Sequence, residues 1–436
     1  MAGIAMTGPV PVRIPVTVSA TLAANEALAA KRRRGERVLP LAFGEAGLPV
    51  LPLLRTALAE AGGRNAYGPV AGLTALREAA AGYWARRGLP ADPAAVVCGP
   101  GSKPLLYAVL LALGTDVAVP RPSWVSYAAQ AGMIGTRPHF VPTVPGQGGV
   151  PDPALLAQAV TGARADGRHI GAVIVTLPDN PTGTLAQAGT VRELCEVASE
   201  HDLVIISDEI YRDLIHDPAA TFTSPAALAP ERTVVTTALS KNLALGGWRI
   251  GVARLPGGGQ VAPPAARLRD RVASIASEIW SAPGGPIQQA AAVAFAEPPE
   301  VTERVARSRR LHAAVARAVA ARFAAAGVPG PVPGAAFYLY PDFTPWRELL
   351  AARHDVTTSQ DLATLLLDRY ATGVLPAAAF GEPAGALRLR VATGLLYGST
   401  GEQRETALAA PDPLALPWIA AALTRLDEIL ADLGAG

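Results

Sequence analysis

Short apolar runs bounded by turn residues alternate with longer stretches of helical period along the first two thirds of the chain. The runs at 96–98, 117–119, 172–176, 203–207, 234–237 and 250–253 each predict a strand. Helical patterns lie between most of them, near 103–113, 124–132 and 190–201. Strands separated by helices predict a mainly parallel sheet covered on both faces. Ligands of such sheets bind beyond the carboxyl ends of the strands, so chemistry is expected just after these runs.

Past about residue 285 the texture changes. Long Ala-rich helices are expected near 286–297 and 303–326, the second also rich in Arg. Shorter strands at 336–340 and 386–392 flank a helix near 361–370, and a last helix starts at Pro417, a residue suited to the first helical position. This pattern predicts a second, α+β domain, with the N-terminal arm packing against it. The turns at 146–149 (GQGG) and 256–259 (PGGG) read as surface turns.

Composition narrows the class. Half of the 436 residues are hydrophobic and 17% are charged, against roughly a quarter in an average soluble domain. The 43 glycines and 40 prolines do not signal disorder, because low hydrophobicity and high net charge are both missing. A formal net charge of +2 provides no global field toward nucleic acid or membrane. The run Lys31-Arg32-Arg33-Arg34 follows a helical segment near 21–30, where cations suit a helix C-terminus; a polyanion patch is the other reading. Cys98 and Cys195 form no CxxC pair or Cys/His cluster, so no metal is expected and a reducing cytoplasm is the natural home. The N-terminus carries no export pattern, and no run of 18 apolar residues suggests a membrane span.

Four strand ends carry the chemistry. The segment 96–103 passes from a strand through Gly99-Pro100-Gly101 into a helix starting near Ser102 and Lys103, whose free N–H groups could hold an anion. After 172–176 comes Asn180-Pro181-Thr182-Gly183, and after 203–207 comes Asp208, followed by Tyr211. After 234–237 come Ser240-Lys241 and then Arg249. A buried strand end makes an acid or a lysine costly unless it is paired, neutral or covalently occupied. Each element alone reads as an ordinary turn or core residue. Together they do not.

The chain resembles the fold-type I pyridoxal-phosphate enzymes, specifically the class I/II aminotransferases related to aspartate aminotransferase. The resemblance rests on Asn180-Pro181-Thr182-Gly183, Asp208-x-x-Tyr211 and Ser240-Lys241-x7-Arg249-x-Gly251. Further matches are Tyr67-x4-Gly72-Leu73-x-x-Leu76-Arg77, Pro122-x-Trp124-x-x-Tyr127, Gly334-x-x-Phe337-Tyr338 and Arg388, and the whole runs from about residue 19 to the last helix. It implies a large domain at 46–297 with a mainly parallel seven-stranded sheet between helices. A smaller α+β domain would join the arm, 1–45, to residues 298–436.

The resemblance also implies a pyridoxal 5′-phosphate cofactor and roles for the residues. Lys241 would hold the aldehyde as a Schiff base and then shuttle a proton. Asp208 would keep the ring nitrogen protonated, and Asn180 and Tyr211 would hydrogen-bond the phenolic oxygen. Arg249 and the backbone of Gly101, Ser102 and Lys103 would hold the phosphate, with Ser240 beside it, and Trp124 would stack on the ring. Tyr67 would reach the phosphate of a neighbouring subunit, which implies a homodimer with shared sites. Arg388 would bind the substrate α-carboxylate, beside Gly44 and Asn180.

Three departures stand out. Ala238 replaces a hydroxyl that many relatives place on the phosphate. Arg390 falls on the same strand face as Arg388 and either enters the same pocket or is a salt-bridged structural arginine. The stretch 393–413 is longer than in relatives and is expected to shape the pocket mouth. None of the six histidines falls in a catalytic motif.

Reversible amino transfer between an L-amino acid and a 2-oxo acid is the leading expectation. Elimination, cyclisation or oxidation on the same site is the alternative. A cofactor-sensing DNA-binding regulator is not expected, with only about 45 residues ahead of the large domain.

Overall fold

In chain order the strands are β1 (Leu39–Pro40), β2 (Val96–Gly99), β3 (Asp116–Arg121), β4 (Pro138–Pro142), β5 (Ile170–Thr176) and β6 (Val204–Asp208). They continue with β7 (Thr233–Ala238), β8 (Gly251–Arg254), β9 (Tyr338–Leu339), β10 (Thr372–Gly373), β11 (Leu375–Pro376) and β12 (Leu389–Ala392). The computed structural model describes residues 20–257 and 261–435. The N-terminal stretch without an export pattern, and residues 258 and 259 of the turn at 256–259, lie outside them.

Seven strands form one sheet in the order β2-β8-β7-β6-β5-β3-β4. Only β8 runs antiparallel to its neighbours. The central strands β5, β6 and β7 are buried along their whole length, which suits the Val/Ile-rich runs of β5 and β6 and the Val–Val pair of β7. Helices Ser102–Leu113 and Leu268–Ile279 pack on one another over this sheet, and Thr74–Ala85 packs against Gly285–Ala296. This is the helix-covered, mainly parallel sheet that the fold-type I resemblance implies.

The one strand of this sheet without a sequence signal is β4. It is an edge strand with proline at both ends, and only Val141 is buried, so it lacks an apolar run. The turn at 146–149 is not the surface turn its composition suggests. Gly148 and Gly149 are buried, and the Gly148 N–H donates to Thr184 Oγ1 at 2.7 Å. A side chain at Gly148 would collide with Asp179 and Thr182, so glycine is required for packing here.

The remaining strands serve a smaller unit. β11, β12 and β9 form an antiparallel sheet, and β1 pairs in parallel with β10, which ties the segment near residue 40 to the C-terminal part. Its core gathers Leu39, Leu41 and Leu48 with residues of the long helix Pro299–Ala325 and of the last helix Pro417–Gly434. The two strands expected at 336–340 and 386–392 are shorter than their apolar runs: only 338–339 and 389–392 pair regularly, and Arg388 meets Asp342 as an isolated bridge.

The stretch 393–413 does not reach the pocket mouth. Leu396, Tyr397, Ala407 and Leu408 enter the small-unit core, and its helix Gly401–Ala409 packs on Pro299–Ala325. Tyr397 donates to or accepts from His312 Nδ1 at 2.6 Å, and Glu405 meets Arg304 at 3.5 Å. Its apolar residues are drawn inward by burial, and none of them lines the cavity beyond the strand ends.

Candidate active site

The register of the sheet sets three polar residues side by side. Thr176 at the end of β5 pairs with Asp208 at the end of β6, which pairs with Thr236 on β7. The carboxylate is 3% exposed and fully partnered: Tyr127 Oη donates to Oδ2 at 2.9 Å and Thr236 Oγ1 to Oδ1 at 3.2 Å. Tyr127 also contacts Thr176 Oγ1 at 2.9 Å. Burial pushes the Asp208 carboxyl up to about 6, against the lowering effect of those hydrogen bonds.

On the far side of β8 from β7, β2 turns into the helix Ser102–Leu113 through Gly101 at φ +97°, a conformation open only to glycine at low cost. A Cβ on Gly101 would lie 2.7 Å from Arg249 Nη2, so the guanidinium rests directly on the helix N-terminus. Gly251 is equally confined, 2.7 Å from the Ser102 nitrogen by the same measure. Lys103 reaches over the Trp124 ring, 5.0 Å from its centroid, and burial, Arg249 and Lys241 all lower its pKa. Positive groups this crowded need an anion between them.

Lys241 leaves the short helix Leu239–Asn242 after β7, and its Nζ donates to the Gly44 carbonyl at 2.5 Å. The same Nζ lies 5.9 Å from the Tyr211 ring centroid. The Tyr211 and Tyr338 hydroxyls are 2.8 Å apart. Asn180 is buried, and its Oδ1 accepts from Arg390 Nη1 at 3.4 Å. These groups face one cavity of about 570 Å³. Ser102, Lys103, Trp124, Asn180, Asp208, Tyr211, Ser240, Lys241 and Arg249 all line it, as does Gly44.

A family model for class I and II aminotransferases matches residues 36–395. The aspartate aminotransferase of Geobacillus stearothermophilus is 33% identical over 403 residues, covering 89% of this chain and 95% of that protein. A probable aspartate/prephenate aminotransferase of Thermus aquaticus is 37% identical over 243 residues, 54% of this chain and 61% of its own. Among solved structures, Thermus thermophilus aspartate aminotransferase with maleate superimposes with a TM-score of 0.80 at 26% identity, over 97% of this chain and 100% of that one.

The chain belongs to the class I and II aminotransferases. It is a transferase that uses pyridoxal phosphate, and the alternative reactions on the same site are not favoured by these relatives. The cavity fits that cofactor. A helix N-terminus beside Arg249 suits the phosphate, and a buried carboxylate with a raised pKa suits the proton of a pyridine nitrogen. A lysine faces the same space.

Of the two arginines expected on one strand face, Arg390 rather than Arg388 lines the cavity. Arg388 lies outside the cavity with its side chain 40% exposed, and it pairs with Asp342 Oδ2 at 2.9 Å and Glu382 Oε1 at 2.8 Å. It precedes the first regular pair of β12. Arg390, roughly 6.6 Å further along the same strand face, is 2% exposed and lines the cavity. Its guanidinium sits 5.0 Å from the Tyr338 ring centroid and 5.4 Å from that of Phe380. It donates to the Ala42 carbonyl and has no acidic partner among the described residues.

Tyr67 is 95% exposed and does not line its own chain's cavity. Ala238 is buried at the end of β7 and offers no hydroxyl there. Sequence reasoning passed over Thr176, Thr236 and Tyr338, all of which sit at ends or within motifs already noted. Strand-end position was the signal for the two threonines, and the Phe337-Tyr338 motif was the signal for the third.

The raised carboxyls give a pH prediction. Burial also lifts Asp179 to about 7. A carboxyl whose folded pKa lies above its unfolded value of about 4 favours the fold in acid and loses that contribution as pH climbs past the folded pKa. Asp208 and Asp179 therefore destabilise the cofactor-free protein progressively between about pH 4 and pH 7. A protonated pyridine nitrogen would offset the Asp208 charge. Thermal melts should show the cofactor raising the midpoint more at about pH 8 than at about pH 5. Equal increments would contradict this account of Asp208.

Proposed function

We propose that this aminotransferase docks the α-carboxylate of its amino-acid and 2-oxo-acid substrates on Arg390. The observation that carries the reading is a buried guanidinium that lines the cavity, touches Asn180 and lacks an acidic partner among the described residues. A bidentate carboxylate would complete its fork. When bound, pyridoxal phosphate supplies an aldehyde that captures the amino group and a ring that draws off the charge left at Cα. Lys241 would anchor it and carry the proton to and from Cα. Asp208, oriented by Tyr127 and Thr236, would hold the ring-nitrogen proton. Tyr211 and Asn180 would donate to the phenolic oxygen, Trp124 would cover the ring, and Arg249 with the Gly101–Ser102–Lys103 backbone would hold the phosphate, next to Ser240.

The named relatives make aspartate and 2-oxoglutarate the first pair to test. Incubation with a panel of acidic, aromatic and aliphatic amino acids should convert the cofactor stoichiometrically to its aminated form. Release of ammonia or peroxide instead would overturn amino transfer.

The exposed Tyr67 supports a homodimer in which it completes the partner's phosphate site. A sedimentation mass of one chain, 44.7 kDa, would overturn that assembly. Both cysteines are free and buried, which supports a reducing, cytoplasmic setting; cell fractionation tests it. No helix among the described residues is long and apolar enough to cross a membrane.

A further inference from the structure

Tyr338 stands where three parts of the site meet. Its hydroxyl lies 2.8 Å from that of Tyr211, and the two rings cross edge to face at 83° with centroids 5.4 Å apart. Its ring face carries the Arg390 guanidinium. Its hydroxyl also presses on Gly44, where a Cβ would approach to 2.5 Å, and the Gly44 carbonyl is the acceptor for Lys241. Tyr211 and Tyr338 are both buried.

Two phenols in one hydrogen bond share a single proton between them, so the second proton must point elsewhere. The Tyr338 hydroxyl abuts the Gly44 backbone and has no hydrogen-bond partner besides Tyr211 among the described residues. Both phenols line the cavity, and the resemblance puts the cofactor's phenolic oxygen beside Tyr211. The lower-energy arrangement has Tyr338 donating to Tyr211 and Tyr211 donating into the cavity.

We propose that Tyr338 is a positioning residue that fixes the donor direction of Tyr211 toward the cofactor's phenolic oxygen while its ring supports Arg390. The proposal rests on the function proposed above and adds a second hydroxyl behind Tyr211. A chain of two hydrogen bonds polarises its members, so Tyr211 becomes a stronger donor than it would be alone. A stronger donor draws negative charge off the phenolic oxygen. That charge otherwise helps to retain the proton on the lysine–cofactor linkage, so the linkage gives up its proton at lower pH.

The test is Tyr338→Phe, which keeps the ring and removes the hydroxyl. The visible absorbance of the lysine-bound cofactor should titrate with a midpoint raised by about half a unit. The KM for the amino donor should stay within about twofold, because the ring beneath Arg390 remains, while kcat falls several-fold. In a Tyr211→Phe background the same substitution should leave the midpoint unmoved, since the relay is already cut. An unchanged midpoint in the single variant, or an equal shift in both backgrounds, would overturn the relay. A wild-type protein that shows no visible band, or whose band ignores amino acids, would instead sink the underlying function.

Discussion

Replacing Lys241 with alanine should lower turnover by at least about 10⁴-fold and remove the visible band of the covalently held cofactor. The expectation follows from position. Lys241 is the one lysine that leaves a strand end into the cavity from beside Tyr211 and Asp208, and its Nζ already occupies a polar contact with Gly44. Alanine removes the anchor and the proton carrier together, so no second group within the described cavity can take over both tasks. Lys103 also lines the cavity, but it lies over Trp124 beside Arg249, on the phosphate side. Pyridoxal phosphate should still bind through Arg249, Asp208 and the helix N-terminus, and dialysis followed by fluorescence would measure it. Survival of the visible band in Lys241→Ala would move the anchor to another lysine.

The same variant tests the shared site. Mixing Lys241→Ala chains with Tyr67→Ala chains would place an intact Lys241 opposite an intact Tyr67 in one site of each hybrid dimer. Activity above that of either parent is the expected result. No gain on mixing would place Tyr67 outside the partner's site.

Much of this site was legible in the sequence because parallel sheets deliver it at strand ends. Asp208 follows a run of buried aliphatics, and Lys241 follows another; an ionisable group in such a place demands a partner. The glycine turn before Ser102 was equally visible. What escaped was depth and long-range partnership within the chain. Alternation along β12 says that Arg388 and Arg390 share a face, but not which of them passes beneath the cavity floor. That depends on Asp342 and Glu382, which draw Arg388 to the surface from 46 and 6 residues away. Tyr338 and Tyr211 are 127 residues apart, so their contact is invisible to any local pattern. The stretch 393–413 misled for a different reason. Its length suggested a loop with a task, whereas its leucines, alanines and Tyr397 made it part of the small-unit core.

The placement of Arg390 in the cavity and Arg388 outside it yields the sharpest contrast between two substitutions. Arg390→Gln should reduce kcat/KM by about 10²–10³-fold, mainly through KM, because it removes one partner of a desolvated charge pair formed only when substrate binds. Arg390→Lys should recover little of this: a point charge cannot reproduce a planar fork that is stacked on Tyr338 and Phe380. In the free enzyme the same change relieves a buried cation whose pKa burial already lowers, so Arg390→Gln should not destabilise the fold strongly. Arg388→Gln should behave in the opposite way. Arg388 itself and its partner Asp342 are partly exposed, so about 1 kcal/mol of stability is at stake, and kcat/KM should stay within about threefold. Steady-state kinetics and thermal melts on both variants decide the assignment. A large KM increase in Arg388→Gln with a modest one in Arg390→Gln would return the carboxylate to Arg388, and would require β12 to present a different residue to the cavity when substrate is bound.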